Sequence, residues 1–70
     1  MTAEKILETL IVEFYSEMQS AKDCSRLGYD QLADQARHQA LGIRTAAEAL
    51  GIDAETFMNA YRDYRKKMRT

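Results

Sequence analysis

From Thr2 onward the large apolar residues Ile6, Leu7, Leu10, Ile11, Phe14, Tyr15 and Met18 recur at three- and four-residue steps, the period of an amphipathic helix. At about 100° per residue they cover an arc of roughly 180°, wider than the ~100° stripe that seats a helix on a single core. Val12 lies outside even that arc. The pattern predicts that helix 1 touches more than one neighbour and keeps part of its face for a second copy or another protein. A second apolar row, Tyr29, Leu32, Ala33, Ala36, Ala40, Ile43, Ala47 and Leu50, holds one narrow face. Its alanines let a neighbour approach closely, which predicts a second helix packed tightly between the other two. The last row, Phe57, Met58, Tyr61, Tyr64 and Met68, predicts a third helix with those residues toward the core.

Two joints separate these rows, Leu27-Gly28-Tyr29-Asp30 and Leu50-Gly51-Ile52-Asp53, one the echo of the other 23 residues on. Glycine takes the left-handed conformation that closes a helix, the next apolar residue packs back on it, and aspartate caps the helix that follows. In the second joint Ile52 and Phe57 also fit a hydrophobic staple around the Asp53 cap. The expected fold is therefore all-α, a compact three-helix bundle with helices at about 3–27, 31–50 and 54–68, forming a single domain over 1–70. One alternative stays open inside helix 2. Leu41-Gly42-Ile43 looks like a further joint, and Thr45-Ala46-Ala47-Glu48 fits a capping box, which would start a short extra helix at 46–50. Against a break, Ala36, Ala40, Ile43, Ala47 and Leu50 keep phase straight through it.

A chain of 70 residues buries only about 60% of the surface its unfolded form exposes. Its core is expected to need outside support. Cys24 is the only cysteine, so a disulfide within the chain cannot supply it, and no Cys/His cluster offers a structural metal. That leaves self-association or a partner. The net charge of −1 argues against non-specific adhesion to nucleic acid or anionic membrane. Its distribution says more than its total. Residues 1–21 set Glu4, Glu8, Glu13 and Glu17 against Lys5, the stretch 22–52 balances four acids with four bases, and residues 53–70 set Arg62, Arg65, Lys66, Lys67 and Arg69 against Asp53, Glu55 and Asp63. The chain is acidic first and basic last. With no basic leader and no long aliphatic run, a cytoplasmic location without membrane contact is expected.

The most specific local pattern is Ala47, Gly51 and Phe57, with apolar Leu50 and Ile52 between them. It resembles the helix-turn-helix of bacterial DNA-binding proteins, where a small residue, a turn glycine and an apolar residue let two helices cross closely. The resemblance covers about twenty of the seventy residues and implies a recognition helix beginning at Asp53, with Asn59, Arg62, Lys66 and Arg69 as the candidate contacts to nucleic acid or to an acidic partner. Its chemistry is poor for DNA, because Asp53 and Glu55 lead that helix and phosphate neutralisation supplies most of the affinity of DNA binding. The C-terminal run interleaves Tyr61 and Tyr64 with bases, but helical spacing turns the rings inward and most of the bases outward.

Other constellations are weaker. Asp34 and His38 share a helix face but give only half a metal site. Glu13 and Glu17 stack at one-turn spacing without a cleft to make them an acid/base pair. Cys24 lacks a helix N-terminus or clear basic partner to activate it. The sequence thus predicts a non-catalytic protein–protein interaction module, an adaptor or inhibitor of a larger protein. It is expected to form a homodimer through a face on helix 1 built from Ile6, Leu10, Ile11, Phe14, Tyr15 and Met18, with no metal, cofactor or small-molecule substrate. A small DNA-binding regulator using residues 45–68 is the alternative.

Overall fold

Thr2 opens the first helix: its hydroxyl accepts from the Lys5 backbone N–H (3.2 Å), satisfying one of the donors that a helix start leaves free. The computed structural model describes residues 2–69 and contains α1 (Ala3–Arg26), α2 (Asp30–Ala49) and α3 (Ala54–Met68). The all-α three-helix bundle expected from the apolar rows is the fold, with boundaries within a residue or so of those read from the sequence.

Both joints close in the same way. Gly28 donates to the Ser25 carbonyl and Tyr29 to that of Cys24; Gly51 donates to the Glu48 carbonyl and Ile52 to that of Ala47. This is the Schellman arrangement, and it requires a left-handed residue after the helix. Gly28 (φ 83°) and Gly51 (φ 89°) supply it. The joints then diverge. Asp53 caps α3 as predicted, its carboxylate accepting from the Thr56 N–H at 2.7 Å, and Ile52 packs against the core beside Phe57. Asp30 is no cap: the chain turns helical one residue sooner, Tyr29 takes the N-cap position without a side-chain bond, and Ala33 donates to the Tyr29 carbonyl. Tyr29 consequently points to solvent and not back onto α1.

Helix α2 runs unbroken through Gly42. The Thr45 hydroxyl donates back to the Leu41 carbonyl (3.0 Å), a bond made inside a helix, so the capping box at 45–48 and the short helix at 46–50 are not formed. The phase of the alanine row outweighs the local cap signal because each of Ala33, Ala36, Ala40 and Ala47 is buried and a break would turn some of them outward.

The central helix is α1. It packs along α2 and also carries α3, while α2 and α3 meet least. The breadth of its apolar arc is therefore explained by two neighbours within the chain. Ile11 and Phe14 are only 3% and 5% exposed and form the core with Ala40, Ala47 and Phe57; Leu7, Leu10, Met18, Ile43 and Ile52 close around them. Three edge-to-face ring contacts hold α3 in place: Phe14 to Phe57 (5.0 Å between centroids) and to Tyr61 (4.8 Å), and Tyr15 to Tyr64 (5.1 Å). Such pairs contribute about 0.5–1.5 kcal/mol each beyond the area they bury. Leu32 and Leu50 of the second row, and Met58 and Met68 of the third, are exposed. They sit at the margins of their stripes, where a core this small does not reach.

Two consequences can be measured by urea unfolding. Gly42→Ala should stabilise the chain by about 1 kcal/mol, because an added Cβ meets nothing within 4 Å and the backbone is helical. Gly28→Ala and Gly51→Ala should each destabilise it by about 1–2 kcal/mol through their left-handed backbone. Loss of stability in Gly42→Ala would contradict a continuous α2. Phe57→Ala, at the centre of the ring contacts, should cost about 3–5 kcal/mol, enough to unfold much of a small domain.

Candidate interaction surface

Crossing α1 at Phe14 and Tyr15, α3 leaves a trough on each side of itself. On one side Tyr15, Met18, Lys22 and Arg26 of α1, Arg37 of α2, and Tyr61, Arg65 and Arg69 from α3 and its C-cap line an open cleft of about 590 Å³. Five of the ten lysines and arginines of the chain meet there, and among the described residues no carboxylate lines it. Arg26 is held by Asp23 on the same helix, and Arg37 by Asp34 (2.8 Å). The Arg65 guanidinium lies 5.6 Å from the centre of the Tyr61 ring, a cation–π distance. Among the described residues no carboxylate pairs with Lys22, Arg65 or Arg69. On the other side of α3 the trough is lined by apolar Leu7, Ile11, Val12 and Ala60 and by charges of both signs, Glu4, Glu8 and Asp63 with Lys5 and Lys67.

The basic end of the sequence thus contributes Arg65 and Arg69 to a cleft whose other cations come from α1 and α2. Of the predicted contacts only Arg69 lines the cationic cleft. Arg62 donates to the Asn59 side chain (3.0 Å), and both, with Lys66, are exposed elsewhere on α3. Lys22, Arg26 and Arg37 escape a linear charge count because the stretch 22–52 balances in it, and Arg65 lies among the C-terminal bases without marking a site there. A signal was available: Lys22 and Arg26, like Arg65 and Arg69, are four apart and so share a helix face.

The face expected on helix 1 is largely consumed by the fold. Ile11 and Phe14 are core residues and present nothing outward; Ile6, Leu10, Tyr15 and Met18 are half-buried, Tyr15 beneath Tyr64. The exposed apolar residues lie elsewhere. Leu27, Tyr29 and Leu32 at the α1–α2 turn are 68%, 57% and 53% exposed. Five of the six aromatic residues take part in the ring contacts; Tyr29 is the sixth and stands outside them. Leu27 follows Arg26 directly, so this apolar turn begins where the α1 wall of the cationic cleft ends, and its three apolar residues do not themselves line the cleft. Val12, outside the apolar arc of helix 1, is exposed, and so is Leu41 on α2.

The helix-turn-helix spacing is realised locally, with Ala47 and Phe57 buried on either side of Gly51. It joins a full-length α2 to a helix that starts with exposed Asp53 and Glu55. The Thr56 backbone N–H, and after it the Thr56 hydroxyl, hold the Asp53 carboxyl below its ordinary value of 3.8, so the end of α3 that a recognition helix would present is negative at neutral pH. Asp34 pairs with Arg37 and not with His38. The Gln39 amide, its nitrogen toward α1, donates to Glu17 (2.6 Å), which ties Glu17 across the two helices. Cys24 is half-buried near the end of α1. No helix among the described residues is long and apolar enough to cross a membrane. Comparison with protein-family models, with curated proteins and with solved structures returns no match.

The Asp53 cap yields a pH signature. A carboxyl whose folded pKa is depressed contributes stability that is present above its unfolded value and lost as the pH falls through the folded one. Asp53→Ala should lower the urea midpoint at pH 7, and the gap from the parent chain should close as the pH drops below the ordinary value of 3.8. A gap that persists undiminished at about pH 2, well under any ordinary carboxylate, would mean that the charge is not what caps α3.

Proposed function

We propose that this chain is a non-catalytic helical module that acts by docking on a larger protein, as an adaptor or inhibitor. The observation that carries this reading is the α1–α2 turn, where Leu27, Tyr29 and Leu32 stand exposed together beside a cleft rimmed with arginines. Single exposed leucines are ordinary. Tyr29, with Arg26 preceding the turn, supplies residue types enriched at binding hot spots, and Leu27 and Leu32 add apolar surface around it. The cleft is open and shallow, a shape that suits a macromolecular contact better than an enclosed substrate.

A homodimer through α1 does not belong to this reading, since Ile11 and Phe14 are covered by α2 and α3. DNA binding through residues 45–68 is disfavoured by the negative start of α3, where Asp53 and Glu55 precede the first base of the helix, Arg62.

The test is capture from an extract of the cells that make the protein, using the immobilised full chain and a Leu27→Ala/Tyr29→Ala/Leu32→Ala variant. The parent chain should retain a specific protein about tenfold better than the variant, a difference of about 1.4 kcal/mol, while both melt at the same temperature. Equal retention by both, or retention of duplex DNA in place of protein, would overturn the reading.

A further inference from the structure

We infer that the cationic cleft beside α3 receives an acidic, amphipathic helix of the partner protein; the inference rests on the interaction-module reading and names the chemistry of its contact. Five cations converge in a chain whose net charge is −1. Even after Asp23 and Asp34 neutralise Arg26 and Arg37, Lys22, Arg65 and Arg69 leave three positive charges around one cleft. Like charges held together oppose folding, and an anion in the cleft relieves that repulsion.

The arrangement specifies the anion. Lys22 and Arg26 stand one helical turn apart on α1, and Arg65 and Arg69 one turn apart on α3 and its C-cap, so the two walls each carry cations at a pitch of about 6 Å. Half-buried Tyr15, Met18 and Tyr61 lie between them. A helix with an apolar stripe flanked by glutamates four residues apart matches this plan: the stripe sits on the rings and the methionine, and the carboxylates reach both walls at the same pitch. Guanidinium forks bind carboxylates in a bidentate way that lysine cannot reproduce. A lone phosphate would need the cations gathered around one point, yet here three helices supply them. A duplex needs cations that track a backbone, and the leading half of α3 offers Asp53 and Glu55 instead.

The probe is a synthetic peptide of about five helical turns, with a leucine stripe flanked by two Glu pairs at four-residue spacing; its partner peptide has every Glu replaced by Gln. Binding to the full chain is read by fluorescence anisotropy at about 50 and about 300 mM salt, where screening differs strongly. The Glu peptide should bind at least about tenfold tighter than the Gln peptide and weaken at the higher salt. Arg65→Glu/Arg69→Glu and the milder Arg65→Gln/Arg69→Gln should each lose about tenfold or more with circular dichroism unchanged. Equal binding of the two peptides, full binding by both variants, no binding at all, or preferential binding of tripolyphosphate or duplex DNA would each overturn the inference. So would a salt-sensitive dimer abolished by Arg65→Glu/Arg69→Glu, which would make a second copy the occupant. The two readings fail separately: a partner captured equally by the parent chain and by Arg65→Glu/Arg69→Glu removes the acidic helix and leaves the module, whereas a chain that captures no protein removes the module itself.

Discussion

Edge-to-face packing of Phe14 against Phe57 and Tyr61, continued by Tyr15 against Tyr64, fixes where α3 lies on α1, and every surface the molecule offers depends on that placement. The hairpin of α1 and α2 is held along its length by alanines that bring the two backbones close. By contrast, α3 rests mainly on a few rings from one of its faces. Its position divides the surface of α1 into a cationic trough and a mixed one, and it delivers Arg65 and Arg69 to the first. The small hydrophobic core and the charged surface are thus consequences of one packing choice.

Much of the fold was legible because its signals are local. The two glycine joints carry the backbone conformation, the hydrogen-bond pattern and, at Asp53, the cap. The alanine row carries the continuity of α2 strongly enough to override a plausible capping box at Thr45. What periodicity did not reveal is which helix lies in the middle. A wide apolar arc on α1 fits a central helix with two neighbours in the same chain as well as a helix with a spare face, and only the tertiary arrangement separates the two. Ile11 and Phe14, placed on an outward face by the second reading, are core residues under the first.

The cleft was harder to read for a related reason. Its cations come from three helices, and a linear count cancels Lys22, Arg26 and Arg37 against Asp23, Asp30 and Asp34. Two of those acids do sit beside the arginines, at three-residue spacing on the outer surface, where exposed pairs contribute little. They leave the facing lysine and the α3 arginines uncompensated. Charge balance along the chain and charge balance across a surface are different quantities, and in this protein they disagree.

Because the cationic trough has one wall on α1 and the other on α3, it exists only while the rings of Phe57, Tyr61 and Tyr64 remain seated. Detachment of α3 would remove one wall of the site and, with Phe57, part of the core that Ile11, Phe14, Ala40 and Ala47 share. Occupancy and docking are consequently linked equilibria: any ligand that bridges the two walls raises the free energy of opening by RT ln(1 + [L]/Kd), and any weakening of the ring contacts lowers apparent affinity by the fraction of molecules with α3 detached. The joint at Gly51, which sets how α3 leaves α2, is in this sense part of the binding apparatus although it touches nothing that binds.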